Sequence, residues 1–328
     1  MSSIYIHTPY CKQACSYCNF HFAISQNDKQ DMLNCIDLEL ILRKDYLQNK
    51  EVKSIYFGGG TPSILQKDEI IRILERVYGT YNISKNPEIT LECNPDDLSR
   101  EKLIELKQIG INRLSIGVQS FNDKELRWMN RSHNAKQSKE CIKTAQQVGF
   151  NNITIDLIYG LPNQSRSNWD KNLKELFRHN IQHFSAYALT VENKTLLKHL
   201  VNTNKIEPLE EELIIDQFNL LIDKSSQHGF IHYEISNFGE EGYFSKHNTA
   251  YWQNKHYLGI GPSAHSYNGK SRSWNISSNK KYIQKIRNRE DYFEIEILTE
   301  NQKYNEYIFT SLRTIWGIDS NQIKQKFK

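Results

Sequence analysis

Along the first two hundred residues, short β-branched and aromatic runs alternate with longer stretches in which apolar residues return every three or four positions. The runs at 3–7, 53–57, 88–93, 113–118, 152–157 and 183–189 have the composition and length of strands. Between them the spacing predicts amphipathic helices, most clearly where Ile70, Ile73, Leu74, Val77 and Tyr78 fall on one face. Strand then helix, repeated, implies a parallel sheet with crossover helices. Six such units in about 190 residues fall short of the roughly 250 that a closed eight-stranded barrel takes, so the expected fold is α/β, a partial (β/α)6 TIM-like barrel. Polar and glycine-containing segments follow the strands at their C-terminal ends, the edge where ligands bind in such folds.

After Thr190 the pattern changes. A long helical stretch at 210–228 leads into a glycine- and aromatic-rich region at 233–267 and then into a polar segment rich in Asn and Lys. The expected organisation is a barrel at 1–200 and a smaller C-terminal α+β region at 201–328. An apolar content of 38% is enough to bury a large core and excludes a disordered chain. The 42 basic and 38 acidic residues leave a charge of +4 without a basic run, so no nucleic-acid partner is expected. No apolar stretch approaches the roughly 20 residues that span a bilayer. Met1 leads at once into a strand-like segment, unlike a signal peptide, and the expected location is cytoplasmic.

Six cysteines stand at 11, 15, 18, 35, 93 and 141, and three of them crowd into eight residues. That crowding suits a metal site better than a disulfide scaffold. Cys11, Cys15 and Cys18 form C-x3-C-x2-C directly after the first strand. Zinc takes a fourth protein ligand, for which His7 and His21 are at hand. An iron–sulfur cluster held by three cysteines leaves one iron open to an outside ligand. Cys35, Cys93 and Cys141 read as buried apolar fillers, Cys35 and Cys141 on helices.

Several motifs then occur in order. Tyr5-Ile6-His7-Thr8-Pro9-Tyr10-Cys11 opens the series, Gly58-Gly59-Gly60-Thr61-Pro62 follows the second strand, and Glu92-Cys93-Asn94-Pro95 ends the third. Ser115-Ile116-Gly117-Val118-Gln119-Ser120-Phe121, Met129-Asn130-Arg131 and Asp156-Leu157-Ile158-Tyr159-Gly160-Leu161-Pro162 complete it. The ordered set resembles the radical S-adenosylmethionine superfamily, and within it the oxygen-independent coproporphyrinogen III oxidase-like proteins. The resemblance implies a 4Fe-4S cluster on Cys11, Cys15 and Cys18. It further implies that S-adenosylmethionine chelates the open iron through its amino and carboxylate groups. Gly58, Gly59, Gly60 and Thr61 would then lie along the methionyl part, where a backbone without side chains permits close approach. By the same resemblance Tyr5 and Tyr17 lie against the cofactor, and Glu92, Gln119, Arg131 and Asp156 surround its ribose and carboxylate. Carboxylates accept from ribose hydroxyls and Arg pairs with a carboxylate, so the residue types suit those places.

Two features separate members of this group. The porphyrinogen-decarboxylating enzymes carry a further Cys two residues after the last cluster Cys, where this chain has Phe20. His247-Asn248-Thr249-Ala250-Tyr251-Trp252 is similar to the heme-associated H-N-x-x-Y-W motif of HemW-type heme chaperones, and the flanking segments 234–238 and 258–266 extend the match. The leading expectation is therefore a carrier that binds heme, with His247 as the heme residue and His265 as its competitor, and passes heme to acceptor proteins, the membrane being one place where these are found. The alternatives are an oxidative decarboxylase of coproporphyrinogen III and a non-catalytic cluster protein. HemW-type chains continue past the helix read at 304–317 into a small helical region, so the C-terminal region is expected to be truncated.

Overall fold

The computed structural model describes residues 2–207 and 210–327. Six parallel strands form its centre: β1 (Ser2–Thr8), β2 (Val52–Gly59), β3 (Ile83–Cys93), β4 (Arg113–Gln119), β5 (Ile153–Tyr159) and β6 (His183–Ala188). Helices cross from each strand to the next, as the alternating pattern predicts. The outward positions are the apolar ones: Ile4 and Ile6, Ile55 and Phe57, Ile89 and Leu91, Leu114 and Ile116 are all 3% exposed or less. They pack under the crossover helices in one continuous core, and burial of that area is the main stabilising term. The helix Lys67–Thr80 contributes Ile70, Ile73, Leu74 and Val77. Tyr78 does not join them and is 49% exposed, because it lies on the flank of the helical stripe.

The remaining strands extend the same sheet at both edges. At one side β7 (Ile231–Glu234) and β8 (Asn237–Gly239) run antiparallel beyond β6. At the other, β9 (His256–Ile260) pairs parallel with β1, and β10 (His265–Tyr267), β11 (Ser271–Asn275) and β12 (Phe293–Ile297) follow antiparallel. The order among the described residues is β12-β11-β10-β9-β1-β2-β3-β4-β5-β6-β8-β7, an open, mixed sheet of twelve strands. The chain passes from one edge to the other through the helix Lys246–Trp252.

The long helix spans Glu211–Gln227, close to expectation. The stretch read as a helix at 304–317 is instead Glu300–Ser311. Beyond Ser311 the chain is drawn onto β7, where Ile315 N–H donates to Tyr233 O at 3.0 Å and Thr314 bridges Glu234. Sheet pairing outcompetes another helical turn there. No helix among the described residues is long and apolar enough to cross a membrane.

Candidate functional site

Parallel strands covered on both faces usually read as unbroken apolar runs. Here the inward positions alternate as polar stripes: Ser3-Tyr5-His7 on β1, Ser54-Tyr56-Gly58 on β2, Glu88-Thr90-Glu92 on β3, and Arg113-Ser115-Gly117 on β4. β5 adds Thr154 and Asp156, and β6 adds His183 and Ser185. An interior this polar has to be hydrogen-bonded within itself or to a ligand.

At the N-terminal ends of the strands most of the stripe is hydrogen-bonded within itself, with Thr90 Oγ1 and Arg113 Nε buried without a partner. Ser54 Oγ–H donates to Ser3 Oγ at 2.8 Å, Arg113 donates to Thr154 Oγ1, and Thr154 Oγ1 and His183 Nδ1 are 2.8 Å apart. The helix Lys246–Trp252 plugs this floor, with the Lys246 and His247 N–H groups donating to the Glu88 carboxylate at 3.2 and 3.1 Å.

His247 belongs to this floor. It is 1% exposed, its Nδ1 lies 3.0 Å from Ser54 Oγ, and its Nε2 lies 2.9 Å from Tyr251 Oη. Because the Ser54 hydroxyl proton is given to Ser3, Nδ1 carries the imidazole proton and Nε2 accepts from Tyr251. Burial drops the His247 pKa to about 3, and the ring is neutral. Both nitrogens are occupied. The expectation of a heme residue at His247 therefore meets a closed hydrogen-bond pair: an iron at either nitrogen would have to break it. Of the same motif, Tyr251 and Trp252 do face open space.

At the C-terminal ends of the strands lies the cysteine loop. Its ends are tied, since Cys11 N–H donates to Ala23 O at 3.0 Å and Ala23 N–H to Pro9 O at 2.8 Å. Its underside is held by Met129-Asn130-Arg131: Ser16 N–H donates to Met129 O at 3.1 Å and Asn130 Nδ2–H to Ala14 O at 2.7 Å. Lys12 forms ion pairs with Asp96 and Asp97. Two donors reach the sulfurs themselves, Thr61 Oγ1 at 3.4 Å from Cys11 Sγ and Arg131 Nη1 at 3.3 Å from Cys15 Sγ. Burial pushes the Cys11 thiol up to about 11 and raises Cys18 as well. Among the described residues no three His, Cys, Asp or Glu side chains are gathered tightly enough for one metal ion. Zinc draws its ligands to about 2.0–2.3 Å from a single centre, whereas a cluster spreads its cysteines over different irons. The donor set, three cysteines with cationic and hydroxyl donors aimed at the sulfurs, fits the cluster.

Beside this loop the expected cofactor residues converge. Glu92 accepts from Tyr56 Oη–H at 2.8 Å and from Gly59 N–H at 3.2 Å. Burial, reinforced by the charge of Asp156, raises Glu92 to about 7. Asp156 is also raised by burial and accepts from Ser115 Oγ–H at 3.0 Å. Arg131 stands opposite, its Nη2 donating to Asn94 Oδ1 at 2.7 Å and Gly117 O at 2.8 Å, while its Nε is buried without a partner. Gln119 ends β4 at φ +64°, a left-handed backbone that a non-glycine residue holds at a cost of about 1–3 kcal/mol. Tyr5 is half-buried beside Glu92, and Tyr17 stands in the field of Arg131 and Cys15. Two half-buried acids, a cation with an open donor and nearby hydroxyls fit a ligand carrying a sulfonium, an amine, a carboxylate and ribose hydroxyls.

The glycines are required for a reason that sequence spacing does not reveal. A Cβ on Gly60 would meet Tyr10 O at 2.5 Å, and one on Gly59, at φ +106°, would meet the His7 ring at 2.6 Å. The protein itself fills the space that a side chain at Gly59 or Gly60 would need.

A cleft of about 1040 Å³ opens beside the cysteine loop, with Phe20, Trp252, Tyr257 and Tyr267 among its walls. His265, Arg272 and Arg313 also line it. The two arginines went unnoticed in the sequence; only the β10/β11 register could have grouped Arg272 with His265.

The sequence profile described as "Radical SAM superfamily" matches residues 5–176. The chain is 34% identical over 330 residues to the heme chaperone HemW of Bacillus subtilis (strain 168), covering 100% of this chain and 87% of that one. It is 34% identical over 271 residues to the heme chaperone HemW of Escherichia coli (strain K12), covering 80% of this chain and 69% of that one. Among solved structures, the coproporphyrinogen III oxidase HemN of Escherichia coli, described as a radical SAM enzyme, superposes with a TM-score of 0.87 at 23% identity, covering 99% of this chain and 78% of that one. That likeness shows a shared fold.

Proposed function

This chain belongs to the radical SAM superfamily and to the HemW heme chaperone family within it, and from that premise we propose that it is a heme carrier built on a cluster-bearing barrel. Cys11, Cys15 and Cys18 hold a 4Fe-4S cluster. Glu92, Gln119, Arg131 and Asp156, with Tyr5, Tyr17 and the 58–61 turn, receive S-adenosylmethionine. When bound, that pair supplies one-electron chemistry at the sulfonium. The chain's own residues do the rest: Thr61 and Arg131 donate to the sulfurs, Glu92 and Asp156 face the cationic ligand, and Arg131 Nε remains available to its carboxylate. Heme occupies the cleft beside the cluster and is passed on to acceptor proteins.

The observation that carries the reading is the loop of three cysteines, pinned at both ends and given sulfur donors by Thr61 and Arg131 beside the half-buried acids Glu92 and Asp156. Phe20, at the position of the decarboxylases' additional Cys, favours the carrier over the oxidase. The test is anaerobic reconstitution followed by iron counting, heme titration and incubation with coproporphyrinogen III. Each of the Cys11→Ala, Cys15→Ala and Cys18→Ala variants is expected to lose the visible absorbance of the cluster, with Cys35→Ala keeping it. Retained heme without protoporphyrinogen is the expected outcome. Stoichiometric turnover to protoporphyrinogen would overturn the carrier reading in favour of the oxidase.

A further inference from the structure

Among the imidazoles that line the cleft, His7 has both nitrogens engaged, Nδ1 to Tyr5 Oη at 3.2 Å and Nε2 to His21 O at 2.9 Å. His21 has Nε2 engaged with Asn279 Oδ1 at 2.7 Å. His265 is exposed to the cleft and makes no side-chain hydrogen bond to any described residue. The register of β10 and β11 sets His265 opposite Trp274 and Tyr267 opposite Arg272. Residues two apart on a strand share a face, so His265, Tyr267, Arg272 and Trp274 form one surface with an imidazole at one corner and a guanidinium at the other.

Arg272 gives only part of its fork to the protein. Its Nη2 lies 2.8 Å from Glu306 Oε2, and its Nε is buried with no partner. Arg313 lines the same cleft, pairs with no carboxylate among the described residues, and lies over the Phe309 ring, 3.3 Å from the centroid. The acid at this cleft is already engaged: Glu234 accepts from the Asn237 side chain and from Ser236 N–H. Two guanidinium groups with spare donors, at the edge of an aromatic-walled cleft, are suited to planar carboxylates.

Resting on the heme reading above, we infer that heme is recognised by its polar edge: Arg272 and Arg313 bind the two propionates, and His265, not His247, ligates the iron. Tyr257, Tyr267 and Trp252 supply the flat wall against the porphyrin. A porphyrin without free carboxylates would lose the guanidinium contacts and keep the wall.

The test uses the reconstituted protein under anaerobic conditions, titrated with hemin and with hemin dimethyl ester. Wild type is expected to bind hemin at least tenfold more tightly than the ester. Arg272→Gln and Arg313→Gln should each lose about tenfold for hemin and little for the ester. His265→Ala should move the Soret band for both ligands, and His247→Gln should leave it in place. All of these side chains but His247 line an open surface, and ester binding reports that a variant is folded. Equal affinity of wild type for hemin and ester, or arginine variants that bind hemin as wild type does, would overturn the propionate assignment. A Soret band unmoved in His265→Ala would overturn the ligand assignment. Failure of wild type to bind either hemin or the ester would overturn the heme reading itself.

Discussion

Replacing His247 by Ala is expected to cost stability before it costs heme. The side chain is 1% exposed and bridges Ser54 on β2 to Tyr251 on the connecting helix. Its loss leaves the Tyr251 hydroxyl and a Ser54 lone pair without their partners, at about 1–3 kcal/mol for each group left buried and unsatisfied. The vacated ring volume adds a cavity term. Together these reach about 3–5 kcal/mol, a large share of the 5–15 kcal/mol typical of a folded domain. Urea unfolding of the apo-protein at pH 7.5 measures this directly, and His247→Gln is expected to recover part of it. There is also a pH signature. The folded pKa of about 3 lies below the ordinary value of 6.5, so between those values the unfolded chain binds a proton that the folded one does not. This contribution is complete above 6.5 and is lost as the pH falls, by about 1.4 kcal/mol per pH unit. His247→Gln should flatten the slope by that amount between pH 6 and 4. Wild-type stability and an unchanged slope in the variants, with heme affinity lost, would refute this reasoning and return His247 to the role of iron ligand.

Two further outcomes are expected. Glu92, raised to about 7, must ionise to face a cationic ligand; wild-type affinity for S-adenosylmethionine should rise about tenfold from pH 6 to 8 beyond any rise in Glu92→Gln, since one pKa unit is a factor of ten. The ligand's own amine titrates in both proteins, so calorimetry on the pair isolates the Glu92 share, and parallel curves would exclude it. Thr61→Val removes the hydroxyl donor 3.4 Å from Cys11 Sγ and is expected to shift the reconstituted cluster to a more negative reduction potential by redox titration, because hydrogen bonds to sulfur stabilise the reduced state.

Local signals read well. The six barrel strands and the cysteine loop each rest on a few contiguous residues whose alternation or spacing carries the information. What stayed hidden depended on partners far along the chain. His247 sits in a motif that reads alike whether its imidazole faces a ligand or a barrel floor, and only the positions of Ser54 and Glu88 decide which. Gly59 and Gly60 are read as a close-approach turn, and a second reason for glycine there was not legible: the His7 ring and the carbonyls of Thr8 and Tyr10 occupy the space that side chains would need. Arg272 and Arg313 carry no motif and matter only through the cleft they share. The alternating stripe Glu88-Thr90-Glu92 was visible all along as a departure from the apolar runs of parallel sheets.

The pairing of β1 with β9, Ser2 opposite His256, has a consequence for biosynthesis. During synthesis β1 gains one neighbour when β2 follows, but its other edge waits until all six barrel strands and the helix Lys246–Trp252 have been translated. At about 5–20 residues per second that interval is on the order of ten to fifty seconds. During it the backbone of Ser3 to Ile6 presents open donors and acceptors, a template for mispairing with other nascent chains. The cysteine loop's supports, Met129 to Arg131, are translated earlier, so the three cysteines can be positioned while one side of their own strand is still bare.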